Sequence, residues 1–420
     1  MKTVIVLSGR GMTMFRPDLV EQPEQVRFVL VISEDEWSLV DTSRLSWFDE
    51  VRQVPCAVPS PPPLLNSLLD GGATRAVLRE LLDAAEPGSV ALLCYDELAM
   101  MDAAQLRAEF ALPGPHPEDM LPYRDKCVMK ERMIAAGVRV PGFGRVDPAR
   151  FSGDRAGYFD DVVAAVGLPF ILKPVDSAGS EGVHLVSGAE QFAGLPEELP
   201  GEFQYEEFVT GVMYSVNLVR QGGRTLFGGV TEYLVNTLDV RRGRVNADIN
   251  LADEDPRVAR MVAFAEEALD ALGNLDGSTH LELFLTAADE LVFLEVGARF
   301  KGLAGLAAMQ RHYGVAIVNL TVQVEAGVAS RPLDEEPLPC FDAVIPKRGG
   351  VVEALVEPPV ESSVDITWKV AAGDVLEATD SLFTSGGTFL VSNKDYEALY
   401  RDFYRLADYE PIRYRAVEAG

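Results

Sequence analysis

Cysteine is scarce: Cys56, Cys94, Cys127 and Cys340 are spread along 420 residues and never form a CxxC pair. That spacing argues against a disulfide framework or a thiolate zinc site. It fits a reducing compartment, so a cytoplasmic protein is expected. Basic residues are also few, with 37 Lys and Arg against 65 Asp and Glu and a formal net charge of −28. Such a surface repels phosphate backbones and anionic lipid, which argues against nucleic-acid and membrane partners. No apolar run is long enough to span a bilayer. The opening run Lys2–Leu7 meets charge again at Arg10 and reads as a buried strand rather than a signal peptide. A GxxxxGK[ST] loop, a strand-linked GxGxxG turn and a Ser-His-Asp or Cys-His pattern are missing as well. There is no internal repeat and no low-complexity tract.

What is present reads as globular. Hydrophobic residues make up 48% and charged residues 24% of a chain long enough for two or three packed units. Lys2–Leu7, Val26–Ile32 and Val90–Cys94 read as buried strands and Ala76–Ala85 as a helix, which implies an α/β layer with a parallel sheet. The proline-rich Pro113–Pro122 marks a boundary. Helices are expected at Lys126–Gly137, Asp160–Val166, Pro256–Leu272 and Val315–Gly327, with a last one near Lys394–Leu406. Strands are expected at Phe170–Pro174, Val183–Val186, Gln204–Val209, His280–Thr286 and Glu290–Val296, and a hairpin at Tyr214–Arg220 with Thr225–Tyr233. Short strands with Gly and Pro turns fill the chain after about residue 331.

Three clusters could carry chemistry. Lys173 ends an apolar strand and precedes the loop Asp176–Gly182, in which Gly179 and Gly182 allow close approach and Ser177 and Ser180 add hydroxyls. Backbone N–H groups in such a loop can face phosphate oxygens, and burying the lysine unpaired would be costly. A Gly/Ser loop alone is more often a plain hairpin. Glu282 and Glu295 lie in HLELFL and LVFLEVG, with Glu282 standing where an apolar side chain is expected. Two carboxylates on adjacent strands can share a hard cation such as Mg²⁺, and Arg299 shortly after them is equally a group for a transferring phosphoryl or an ordinary surface arginine in a Gly-containing loop. One such Glu by itself is an ordinary strand-edge residue. Tyr205–Val209, with Glu206 and Glu207, is a short strand that could read a ring edge, or a plain strand. His280 is equally an orienting group or a packed strand histidine.

The order of these motifs resembles the ATP-grasp superfamily, and within it the L-amino acid ligases that make dipeptides. The resemblance rests on DELAMMDAAQLRAEFALPG, YRDKCVMKERMIAAGVRVP, PFILKPVDSAGSEGV, YEEFVTG, HLELFL and FLEVGARFKG. It implies an α/β and α+β fold: an N-terminal Rossmann-like domain over 1–115, a small lid subdomain over 116–210, a large subdomain with the metal site over 211–330, and a C-terminal subdomain over 331–420. It implies that Lys126 and Lys173 contact ATP phosphates and that Ser177, Gly179 and Ser180 lie in a mobile lid. Glu206 would accept from the adenine amino group, Glu207, Phe208 and Val209 would line the hinge, and Met213 would stand where many members have a ribose-binding glutamate. Glu282 and Glu295 would hold one or two Mg²⁺ ions, with Mn²⁺ as a substitute, and Arg299 would stabilise the transferred phosphoryl group. His280, Arg299, Lys301 and Gly302 would face the substrate. Gly297 replaces the Asn of the usual E-x-N-x-R. The activity implied is an ADP-forming carboxylate–amine ligation through an acyl-phosphate, on small-molecule substrates, by a protein that is a homodimer in some relatives. Two other readings are a carboxylation like that of biotin carboxylase, and a non-catalytic nucleotide-binding protein, which Met213 and Gly297 favour.

Overall fold

The computed structural model describes every residue except 60, 63, 64, 237, 240–242, 303, 379–383 and 416–420. The first layer is a parallel sheet. β1 (Lys2–Leu7), β2 (Val26–Ser33), β3 (Glu50–Val54) and β4 (Val90–Cys94) pair in the order β3-β2-β1-β4. β1 and β4 are buried almost throughout because helices cover both faces, which is why they read as continuous apolar runs. β3 is EVRQV at the sheet edge, and its polar sequence gave no strand signal.

A second, antiparallel sheet has the order β5-β8-β6-β7, from β5 (Phe143–Arg145), β6 (Phe170–Pro174), β7 (His184–Val186) and β8 (Phe203–Glu207). The helix Lys126–Ala135 precedes it. Asp125 caps that helix through the N–H groups of Cys127 and Val128 at 2.9 and 3.0 Å, which fixes Lys126 at its first turn. The Lys126 N–H donates to the Val175 carbonyl, so the helix start is tied to the end of β6.

The largest sheet begins with β9 (Val212–Gln221), β10 (Arg224–Tyr233), β11 (Asn246–Asn250), β12 (Gly277–Leu285) and β13 (Leu291–Gly297). β14 (Cys340–Ile345), β15 (Gly350–Leu355), β16 (Ser363–Trp368), β17 (Val375–Leu376), β18 (Gly387–Ser392) and β19 (Ile412–Arg415) follow. Eight of these strands form one sheet, β13-β12-β9-β10-β11-β14-β18-β16, and β17-β15-β19 form a small one. The boundary expected at 330/331 therefore runs through a continuous sheet, joined where β11 pairs with β14.

The helix Pro256–Leu272 packs its buried stripe of Val258, Met261, Ala265, Leu269 and Leu272 against this sheet. The helices Gly305–Tyr313 and Ile317–Ala326 sit between it and the parallel sheet. Val4, Val6, Val219, Phe227, Met309, Val318 and Val322 share one core, so the two layers are bonded by apolar burial and not merely tethered. No helix among the described residues is long and apolar enough to cross a membrane. The four cysteines are free thiols.

Candidate active site

The antiparallel pairing of β12 and β13 sets Glu282 directly opposite Glu295. His280, Glu282 and Phe284 alternate onto the cavity side, while Leu281 and Leu283 enter the core. Glu282 thus keeps the alternation of its strand, contrary to the expectation that it interrupts an apolar face. The ladder slips by one residue next to it, since Leu283 pairs with Phe293. Leu294 is the extra residue, and this bulge lets Leu294 and Glu295 face the cavity in succession while Phe293 and Val296 stay in the core. β13 is the edge strand of its sheet, and the Val296 N–H on that edge meets the Met129 sulfur at 3.3 Å.

The same register logic gathers the cations. Lys173 on β6 lies opposite Gln204 on β8, two pairs along from Ile171 opposite Glu206, so all four share a face. Lys173 Nζ is 2.8 Å from the Glu206 carboxylate and 3.3 Å from that of Glu295. Lys126 Nζ is 3.9 Å from Glu295 and donates to the Ser177 carbonyl at 2.6 Å. Burial alone would raise the Glu295 carboxyl, but Lys126, Lys173 and Lys130 outweigh it and hold it down at about 2. Burial also opposes charge on Lys173, and Glu206 and Glu295 overcome this and raise its pKa. Arg299 pairs with Glu97, which also takes Arg124 at 3.1 Å. His280 Nδ1 lies 2.8 Å from Asn217 Oδ1 and Nε2 lies 3.5 Å from Glu282. Its burial lowers its pKa, so the ring is neutral at pH 7.

These groups line one cleft of about 730 Å³ between the sheets. Lys126, Lys173, Ser177, Gly179, Ser180, Glu206, Glu207, Phe208, Val209, His280, Glu282, Glu295, Arg299, Lys301 and Gly302 all border it. Met213 does not: it is buried with Val209, Tyr233, Phe284 and Val292, a packing residue rather than a ligand contact. Glu206 departs from its expected role. Its carboxylate is buried between Lys130 at 2.7 Å and Lys173, so it serves as their counter-ion and is not free to accept from an adenine amino group. The Glu207 carboxylate is likewise taken, by Arg139 and the Gly142 N–H at 2.9 Å each.

Sequence reasoning missed Lys130, Glu97 and Arg124. Lys130 lies four residues after Lys126, on the same helix face, and that spacing was the available signal. Glu97 and Arg124 carried none, because only the fold brings them beside Arg299. Glu282 and Glu295 are the candidate cation ligands, and no cluster of three or more His, Cys, Asp or Glu suited to a metal occurs among the described residues. Two facing carboxylates without a closed cage suit Mg²⁺, which keeps waters and shares phosphate oxygens.

A family model for the ATP-grasp domain matches residues 118–303. An uncharacterized protein of Sinorhizobium fredii is 30% identical over 227 residues, covering 52% of this chain and 45% of that protein. The L-arginine-specific L-amino acid ligase of Bacillus subtilis is 22% identical over 276 residues, covering 59% of this chain and 62% of the relative. The chain thus spans about half to three fifths of the length of these two relatives. In fold it is similar to the L-amino acid ligase of Bacillus licheniformis, with a TM-score of 0.66, 18% identity and 99% of both chains covered. Residues 118–303 thus match the ATP-grasp domain, and in fold the whole chain is similar to an L-amino acid ligase.

Proposed function

We propose that the protein is an ADP-forming carboxylate–amine ligase that uses ATP and Mg²⁺ and takes an amino acid as one substrate. The observation that carries this reading is the convergence of Lys126, Lys173, Glu282, Glu295 and Arg299 on one cleft. The lysines and Arg299 neutralise phosphate charge at fixed positions, so no reorganisation is needed as charge spreads in the transition state. Glu282 and Glu295 would hold the divalent ion, which supplies charge screening at the phosphates. The loop Ser177–Ser180 covers the phosphates and excludes water, since an acyl-phosphate exposed to water hydrolyses. A substrate carboxylate oxygen attacks the γ-phosphorus and ADP leaves. The second substrate's amine then attacks the acyl carbon, expelling phosphate and losing a proton. Similarity to amino acid ligases supports amide formation over carboxylation.

The test is a matrix of amino acids and other acids against amines, read by phosphate release and product mass. Phosphate release that depends on both partners is expected. Release with bicarbonate and no amine would overturn the ligase reading. Glu295→Gln is expected to lower ADP formation by at least about a hundredfold while the far-UV circular dichroism stays that of the parent. Normal turnover in that variant would remove Glu295 from the metal site.

A further inference from the structure

The cleft has an end that none of the proposed ATP, metal or phosphoryl contacts uses. Its floor is the face of the large sheet where β10, β11 and β14 run side by side. Tyr233 lies opposite Asp248, and Asp248 lies opposite Asp342, so one row carries a phenol and two carboxylates. Both aspartates are 4% exposed and both border the cleft. Like charges directly opposite on neighbouring strands are destabilising, and buried carboxylates are normally paired. Among the described residues one cation is bonded to the pair: Lys301 Nζ donates to Asp248 Oδ2 at 2.5 Å. Asp248 Oδ1 is buried, and among the described residues no donor apart from the facing Asp342 carboxyl is placed to reach it. Lys369, which also borders the cleft, points its ammonium at Ser385 Oγ, 3.4 Å away. Two acids against one lysine leave room for one more positive charge. Burial and the neighbouring Asp248 push the Asp342 carboxyl well up.

We propose that the Asp248–Asp342 pair is a subsite for a second, non-reacting ammonium group of the amine or amino acid substrate. This rests on the ligase reading and deepens it. The subsite lies close to the metal carboxylates. Tyr233 donates to Glu282 at 3.1 Å, and Lys301 Nζ sits 4.8 Å from the centre of the same tyrosine ring. One aromatic ring therefore separates the two sets of acids, which is the reach of a basic amino acid side chain or a short diamine. The ligand class is an amino acid or diamine with two amino groups: one enters the reaction and the other sits against the two aspartates.

The experiment compares L-lysine and L-ornithine with L-norleucine, which keeps the aliphatic stem and lacks the distal ammonium. In the wild type, kcat/KM for the cationic substrates is expected to exceed that for norleucine by about tenfold or more, the scale of a charge-assisted hydrogen bond. Asp342→Asn should bring that ratio to near one, and Asp342→Glu should restore part of it. A ratio near one in the wild type, or a preference that survives Asp342→Asn, overturns the subsite and leaves the ligase reading standing. If no acid–amine pair turns over, the ligase reading fails. Calorimetric binding of L-lysine against L-norleucine to the wild type and Asp342→Asn then decides the subsite alone. Tighter lysine binding lost in the variant supports it, and equal binding refutes it.

Discussion

Glu206 holds two ammonium groups on one buried carboxylate, and much of the lysine-lined end of the cleft depends on that arrangement. Lys130 is fully buried, and without Glu206 it would keep, among the described residues, the neutral Gln204 amide oxygen at 3.1 Å and the face of the Phe143 ring. Lys173 would keep only Glu295, whose carboxylate is also the candidate metal ligand. Removing one partner of a buried pair costs more than the pair contributes, because an uncompensated charge remains. Glu206→Gln is therefore expected to destabilise the protein by about 3–5 kcal/mol, measured by urea unfolding. A loss below about 1 kcal/mol would mean that the lysines find water or another counter-ion. Lys173 and the two metal-strand glutamates were legible in the sequence because a charge in an apolar strand stands out. Glu206 was legible as a residue but not in its role: its partner Lys130 comes from a helix in which a lysine looks ordinary.

Among the elements, β9, β10, β12 and the helix Pro256–Leu272 were legible because one face of each meets a core, so their periods of 2 and 3.6 are written in apolar residues. β11 was not. Its sequence Asn-Ala-Asp-Ile-Asn is buried at every position, yet the three polar side chains face the cleft or satisfy neighbours, as Asn250 does for the Cys340 carbonyl at 3.2 Å. A strand whose polar side chains are all turned inward defeats a rule that equates polar with exposed. The helix Gly305–Tyr313 was missed as well. The last helix, Tyr396–Arg405, is held by another buried acid. Glu232 on β10 accepts from Tyr400 at 3.1 Å, from Tyr404 one turn on, from Tyr214 at 3.2 Å and from Arg257 at 2.5 Å. Glu232→Ala should cost about 2–3 kcal/mol and speed amide exchange in residues 396–405 while leaving β1 and β4 protected. Uniform acceleration across the molecule would show that Glu232 supports the whole fold and not this helix.

At the scale of the molecule, the cleft is where three sheets meet, and buried groups in it and away from it pull stability in opposite directions as pH changes. Glu295, held down at about 2, and His312, lowered to about 4 by burial, have folded pKa values below their ordinary ones. Their contributions are present above the unfolded values and are lost as pH falls. Glu36 acts the other way. It caps the loop after β1, accepting from Gly9 N–H at 3.0 Å and Ser8 Oγ at 3.1 Å, while its other oxygen is buried with no hydrogen-bond partner among the described residues. Burial and the nearby Asp96 raise it to about 7, against the pull of Arg10. A folded value above the unfolded one means that its contribution is complete below pH 4.5 and is lost as pH rises toward 7. A shift of that size corresponds to roughly 3 kcal/mol. The net charge of −28 adds self-repulsion over the same range, but added salt screens the surface and not a buried carboxyl. Urea unfolding of the wild type and Glu36→Gln at pH 5 and pH 8, each at low and high salt, separates the two. The wild type should lose more stability than the variant between the two pH values, and high salt should leave that difference in place. If salt abolishes the difference, surface repulsion accounts for the alkaline decline and Glu36 is not its source.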